Sequence, residues 1–336
     1  MLKRIKIICM PALFVFLLAF IPNGVFGADF DWKMSSAFPL GDTANMENDK
    51  FAKMVEEGSN GRVKITYYGG TLGSPRDAWD MVKSNTIQFT WTGDLYNPGR
   101  MPITGMVGMP FEVPTIEKAY KSLDGLLNAG YLDKEYSGLK ALYLLPTYPI
   151  NLYFTKKKVE KMEDFQGVKI RCGTGLQGQV LTTLGASTVS LPGSEEYMSL
   201  QTGVIDGTIT GINIAFLRKL NEVVKYGMRD PIMSFGVMVM LMNEETWEKT
   251  PDDIQKIILQ ASKDICEDQV TKNTKNLDVM WNDFSQKVEA YTISPDEQAR
   301  WRKSTGDLIE KYAEDLSAKG YPAKEALGLI RKVIAE

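Results

Sequence analysis

The sequence contains no histidine. That absence removes the usual general base near neutral pH and the commonest metal ligand. Ser-His-Asp and Cys-His nucleophilic catalysis are excluded with it. Cysteine is nearly as scarce. Of three cysteines, Cys9 lies in an N-terminal apolar run, and Cys172 and Cys266 stand far apart, outside any metal-ligand spacing. A structural zinc site cannot be built from this inventory. Two isolated buried thiols are expected rather than a disulfide, and no cofactor or metal is expected. Beyond the N-terminus no apolar run reaches transmembrane length, and there is no repeat, low-complexity segment or Pro/Gly/Ser-rich linker.

What is present begins with a leader. Lys3, Arg4 and Lys6 precede an apolar run from Ile7 to Ile21, and Val25-Phe26-Gly27 supplies the residues of a cleavage site before Ala28. This is the organisation of a secretory signal peptide, so residues 1–27 are expected to be removed on export. An anchor helix would need about 20 apolar residues; this run is shorter and broken by Pro11. Cleavage takes away three basic residues and no acidic ones, leaving 36 against 42, a net charge of −6. A mildly acidic surface argues against a nucleic-acid partner.

From Phe30 onward, short β-like runs alternate with helical stretches. Asp31 to Ser35 reads as a strand, Thr43 to Glu57 as a helix, and Arg62 to Tyr67 as a second strand after the Asn60-Gly61 turn. Ser74-Pro75, Thr250-Pro251 and Ser294-Pro295, each followed by acidic residues, predict helix starts with Ser or Thr as N-cap. The apolar spacing from Ile254 to Val288 predicts one long helix that touches two domains. The length allows two domains. We expect an α/β clamshell with largely parallel sheets: residues 28–149 with 237–276 form one unit, and 150–236 with 277–336 the other. Joining them without a long linker requires several short crossings, which favours hinge closure.

The most specific signal lies in the middle of the chain. Asp164 to Arg171 reads D-x-x-G-x-K-x-R, Gly185-Ala186-Ser187 follows, and Leu200 to Gly207 reads L-Q-T-G-x-x-D-G. These three linked motifs, with Leu72-Gly73, Met109-Pro110-Phe111 and the Asn243-to-Pro251 stretch, resemble the solute-binding subunits of tripartite ATP-independent periplasmic (TRAP) transporters. The resemblance implies a two-domain periplasmic-binding-protein fold, a small organic acid ligand, no enzymatic activity, and membrane permease subunits as partners. It also gives Arg171 the role of holding the ligand carboxylate. The residue type suits that role, because a guanidinium is a permanently charged planar fork that matches a carboxylate with two parallel hydrogen bonds. Its expected place at a strand end is where ligands bind in open α/β sheets.

The resemblance places a second arginine and an asparagine at positions that here are Asn151 and Thr210. With one cation and one amide missing, a single arginine balances a single carboxylate. A monocarboxylate with a less polar or aromatic tail is therefore expected, since a second unpaired carboxylate would be costly to bury. Phe38, Trp91, Tyr148 and Phe235 are the aromatic candidates to receive the tail, with Tyr96 and Phe216 behind them. Asp94 and Asn213 are candidate polar contacts, although an aspartate in such a position is often a helix cap.

Two other chemistries compete. Gly173-Thr174-Gly175-Leu176-Gln177-Gly178 matches the G-x-G-x-x-G dinucleotide fingerprint and is followed by Glu195. An exported nucleotide-dependent enzyme is the alternative reading. Paired carboxylates of the glycosidase kind are not singled out by any spacing, and acidic pairs such as Glu244-Glu245 look like solvated helix caps.

Overall fold

The computed structural model describes residues 28–36, 46–74, 76–172 and 175–336. The leader, Phe38, and Gly173 and Thr174 of the glycine loop lie outside the described residues. Eleven strands form two sheets among those described, with helices packed on both faces of each.

The first sheet takes β1 (Phe30–Ser36), β2 (Val63–Tyr67), β3 (Phe89–Gly93), β4 (Leu139–Pro146) and β10 (Val237–Asn243) in the order β2-β1-β3-β10-β4. The second takes β5 (Ile150–Phe154), β6 (Lys169–Arg171), β7 (Ser187–Val189), β8 (Gly207–Gly211), β9 (Tyr226–Asp230) and β11 (Glu289–Thr292) in the order β11-β9-β5-β8-β6-β7. The expectation of largely parallel sheets needs a correction. Each sheet is mixed: β10 runs against β3 and β4, and β5 runs against β8 and β9. The reason is the crossing. The chain passes straight from β4 to β5 over residues 147–149 and from β9 to β10 over residues 231–236, so each entering strand runs opposite to its new neighbours.

The two crossings are hydrogen-bonded to each other. Thr147 N donates to Gly236 O at 2.9 Å, Ile150 N to Ser234 O at 2.9 Å, and Gly236 N to Thr147 Oγ1 at 3.0 Å. This short ribbon marks the boundary between the sheets. Helix α8 (Asp252–Phe284, 33 residues) makes a third connection; at 1.5 Å per residue it runs for about 50 Å. Its first half gives Ile254, Ile258 and Ile265 to the core under the first sheet, and its end gives Trp281 and Phe284 to the core under the second. It begins after Pro251 with no side-chain cap, whereas Ser294 caps α9 (Pro295–Ala318) by accepting from Glu297 N. Helix α2 (Asp77–Lys83) starts later than Ser74 predicts: Asp77 accepts from both the backbone and the hydroxyl of Ser74.

The C-terminal helix lies away from where the sequence placed it. Residues 277–336 were expected with the second unit, but Ala326, Leu327 and Ile330 of α10 (Ala323–Ala335) are buried in the first core with Leu123 and Leu126 of α3 (Ile116–Asn128). Helix α9 serves both units: Trp301 lies in the second core, and Ile309, Ala313 and Leu316 in the first. An amphipathic helix reports that it has an apolar face, not which of two cores will take it.

A strap ties the units on the side of α9. Residues 104–108 form a 3-10 turn, after which Phe111 reaches into the second core beside Trp301 and Phe165. Glu135 anchors the start of this turn by accepting from Ile103 N at 2.7 Å and Thr104 N at 3.1 Å. Burial pushes the Glu135 carboxyl up to about 7, against the lowering effect of Thr104 and the two backbone donors. A carboxyl with a raised native pKa binds its proton more tightly folded than unfolded. Its stabilisation is thus full below the unfolded value and is lost as pH rises through about 7. Urea unfolding at pH 5 and pH 8 should show wild type losing up to about 3 kcal/mol from this group across that window. Glu135→Gln should flatten that part of the profile, and an unchanged profile would reject the assignment.

Candidate functional site

Strand directions decide which residues meet at the boundary. β10 starts there and pairs antiparallel with β3, Met238 opposite Gly93, so β3 ends at the boundary; β1 is parallel to β3 and ends there too. In the second sheet Ile150 lies opposite Gly211, so β8 ends at the boundary, and β6, parallel to β8, points the same way. The carboxyl ends of β1, β3, β6 and β8 therefore converge on one gap, the position in which open α/β sheets bind ligands.

Arg171 is the last residue of β6, as the sequence predicts. It pairs in register with Thr208 of β8, which lies opposite Tyr153 of β5; Asn151 lies opposite Thr210. Paired residues share a sheet face and alternate residues return to it. Arg171, Thr208, Thr210, Asn151 and Tyr153 thus form one polar patch on the α8-facing side of the second sheet. Asn151 is buried and its Nδ2 donates to Arg229 O at 2.8 Å, while its Oδ1 has no hydrogen-bond partner among the described residues. Tyr153 is fully buried, and its hydroxyl has no partner among the described residues either. Burial, and then the charge of Glu196, push the Tyr153 phenol well above its ordinary value.

Sequence reasoning missed two members of this patch. Glu196, in the first turn of α5 (Glu196–Thr202), is wholly buried. Its Oε1 accepts from Thr208 Oγ1 and lies 3.6 Å from Arg171 Nη1; its Oε2 pairs with Arg218 Nη1. Arg218 follows α6 (Ile212–Leu217) and lies so close over Gly193 that a Cβ there would collide with its guanidinium. Arg171 Nε also donates to Leu191 O at 3.3 Å. Two guanidiniums, 18% and 33% exposed, thus bracket one buried carboxylate. The sequence singles out neither residue: Glu196 follows Glu195 near a helix start, and Arg218 is followed by Lys219. Only the glycine at 193 hinted at a close approach.

The remaining candidates spread along the gap. Asp94 follows β3, and its Oδ1 accepts from Leu95 N at 2.8 Å and Val237 N at 3.2 Å, tying the end of β3 to the start of β10. Burial raises its pKa against those backbone bonds. Trp91 is buried with the start of α8 on one face of the first sheet, its ring 5.4 Å from that of Tyr143, and Phe235 is buried on the other face of that sheet. Tyr148 is half-buried on the first crossing, in contact with cores of both units; burial raises its phenol pKa, against a lowering effect of Asn276 of α8. Asn213 opens α6, with its Oδ1 against Gly211. Phe216 packs on Phe284, 5.4 Å between ring centroids. Cys172 and Cys266 are both free and buried.

The glycine loop has more of the fingerprint's frame than the sequence suggested. β6, α4 (Leu176–Thr183) and β7 form a parallel β-α-β unit, with Gly175 at φ +104° before the helix. However, both strands are three residues long, and Glu195 lies in the turn leading to α5, beyond the end of β7. No helix among the described residues is long and apolar enough to cross a membrane.

Comparison with known proteins places this architecture. Residues 34–315 match the family described as bacterial extracellular solute-binding protein, family 7. A monocarboxylate 2-oxoacid-binding periplasmic protein of Nostoc sp. is 27% identical over 246 residues, which are 69% of this chain and 65% of the relative. A TRAP periplasmic solute binding protein from Desulfovibrio salexigens, solved as an open complex, superposes with a TM-score of 0.82 at 22% identity, covering 91% of this chain and 96% of that one. A marine metagenome TRAP solute binding protein specific for aromatic acid ligands gives 0.76 at 20% identity, over 91% and 98%. The two structural likenesses establish the fold, and the family match covers nearly all of the described chain. The chain therefore belongs to the bacterial extracellular solute-binding proteins of family 7, the solute-binding proteins of TRAP transporters.

Proposed function

We propose that this protein captures a small organic acid with one carboxylate and a less polar or aromatic tail, outside the cytoplasmic membrane, and passes it to membrane permease subunits. The observation that carries this reading is the Arg171 guanidinium at the gap end of β6, pinned on one side by Leu191 O and Glu196. A guanidinium has five donors; Arg171 Nη2 makes no hydrogen bond among the described residues, and the side chain keeps some exposure. The ligand carboxylate would meet that edge of the fork. Asn151 and Thr210 lie beside it on the same face, and Tyr148 offers a half-buried ring at the boundary. The 2-oxoacid monocarboxylates of the Nostoc relative and the aromatic acids of the metagenome protein are both ligands of this charge.

Closure follows from the same geometry. Bending at the 147–149 and 231–236 ribbon would bring the first sheet over Arg171 and shield the ion pair from water, which strengthens it. A ligand that favours the closed form shifts the population toward it, giving the permease a surface to recognise.

A thermal-shift screen of refolded protein against mono- and dicarboxylates, 2-oxo acids, sugar acids and NAD tests the reading. A monocarboxylate at 100 times its Kd should stabilise the protein by about 2.7 kcal/mol. A shift with NAD alone would overturn the assignment in favour of the glycine loop.

A further inference from the structure

We propose that Glu196 is a built-in counter-anion that sets the charge of the ligand: it neutralises one of two arginines, so the site accepts one carboxylate and discriminates against two. This inference rests on the carboxylate-binding reading of Arg171 and adds the element that fixes ligand charge.

The sequence argument counted a single arginine, and the structure corrects that count. Arg171 and Arg218 converge on Glu196 from separate elements, one from β6 and one from beyond α6. Without Glu196, the patch would carry two adjacent cations, suited to a dicarboxylate or a doubly charged anion. With it, the local charge is that of one cation. Glu196 is also fixed more firmly than a ligand would be: it is fully buried on α5 and held by Thr208 Oγ1 as well as by Arg218. The absence of a side chain at Gly193 lets the Arg218 guanidinium lie over the turn that carries Glu196. Of the nearby charged residues, Glu195 and Lys219 are exposed, and their influence is screened by solvent. Discrimination against a competitor by an unfavourable element, rather than by better contacts to the preferred ligand, is a common route to specificity. Here the unfavourable element is a fixed negative charge where a second carboxylate would bind.

The test compares acids matched in shape, a methyl group of the monoacid standing where the diacid has its second carboxylate: 2-oxovalerate with 2-oxoglutarate, and 4-ethylphenylacetate with 1,4-phenylenediacetate. Their affinities are measured calorimetrically on the whole folded protein. Wild type is expected to prefer the monoacid in each pair. Glu196→Gln keeps the side-chain shape and an acceptor for Thr208 while removing the charge. It should move the diacid-to-monoacid affinity ratio at least about tenfold toward the diacid. Adding Arg218→Gln to that variant should return the ratio toward wild type. An unchanged ratio in Glu196→Gln, or a wild type that takes the diacid as well as the monoacid, overturns the proposal. Arg218→Gln alone, which leaves Glu196 to neutralise Arg171, covers the case in which Glu196→Gln does not fold. It should weaken monoacid binding about tenfold or more, and undiminished binding would equally overturn the idea. Failure of the underlying reading looks different: both acids of a pair would keep binding after Arg171→Ala.

Discussion

Replacing Arg171 by alanine is expected to remove organic acid binding while leaving a folded protein. Truncating one partner of a shielded, hydrogen-bonded charge pair costs about 2–5 kcal/mol, which corresponds to a loss of affinity between about 30-fold and about 5000-fold. Much of that cost would come from leaving the ligand carboxylate desolvated and unpaired in the closed gap. The fold should tolerate the change, because Glu196 retains Arg218 and Thr208 as partners and β6 retains its backbone pairing with β7 and β8. Arg171→Lys should recover part of the affinity, since it restores the charge without the planar fork. Calorimetry with an acid from the screen, alongside circular dichroism, reads both halves. Binding within threefold of wild type in Arg171→Ala would remove this residue from the site.

The largest expected effect on stability lies at Trp301. Its side chain is fully buried in the second core, 5.0 Å from the Phe165 ring and 5.7 Å from that of Phe111. Its indole Nε1 donates to Glu297 Oε1 at 2.9 Å, and the same oxygen accepts from Met162 N at 2.7 Å. Trp301→Ala would leave a cavity between α9, the strap and the second sheet, and such truncations cost about 3–5 kcal/mol. Phe111 would lose its seat as well, although Arg302 Nε still donates to Phe111 O at 2.9 Å. Trp301→Phe should cost less than half as much, because most of the apolar contact is kept. Urea midpoints of the two variants check the ranking. A loss below about 1 kcal/mol in the alanine variant would show that the strap and second core do not depend on this ring.

The sequence was most informative where local chemistry and tertiary role coincide. Arg171 at the end of a short strand, Ser294 as a cap and the apolar spacing of α8 all appear as read. Strand direction was not legible, because β5 and β10 have ordinary strand compositions and their reversal follows from how the chain crosses between sheets. The home of α10 was not legible for a similar reason. Glu196 was hidden by its context: beside Glu195 at a helix start it looks solvated, and only Arg218 and Thr208, brought in from 22 and 12 residues away, explain a buried carboxylate there. Trp91 and Phe235 show the opposite limit, for each lies close in sequence to the boundary yet has its side chain packed inside the first unit, on opposite faces of its sheet.

The order of strands in the first sheet also governs how the chain can fold as it is made. β10 sits between β3 and β4, so the sheet has a vacant central place until residues 237–243 have emerged. The outer layer over α3 is incomplete until residues 323–335 follow. A nascent chain carrying the first 230 residues therefore holds β1 to β4 with no strand to join β3 to β4, and the apolar face awaiting α10 is uncovered. Completion of the first sheet therefore waits on residues 237–243 for a reason of topology, not of local propensity. In that sheet the strand that joins the ladder is made after the four it holds together, so the unit that contains the first strand of the chain is the one whose sheet closes late.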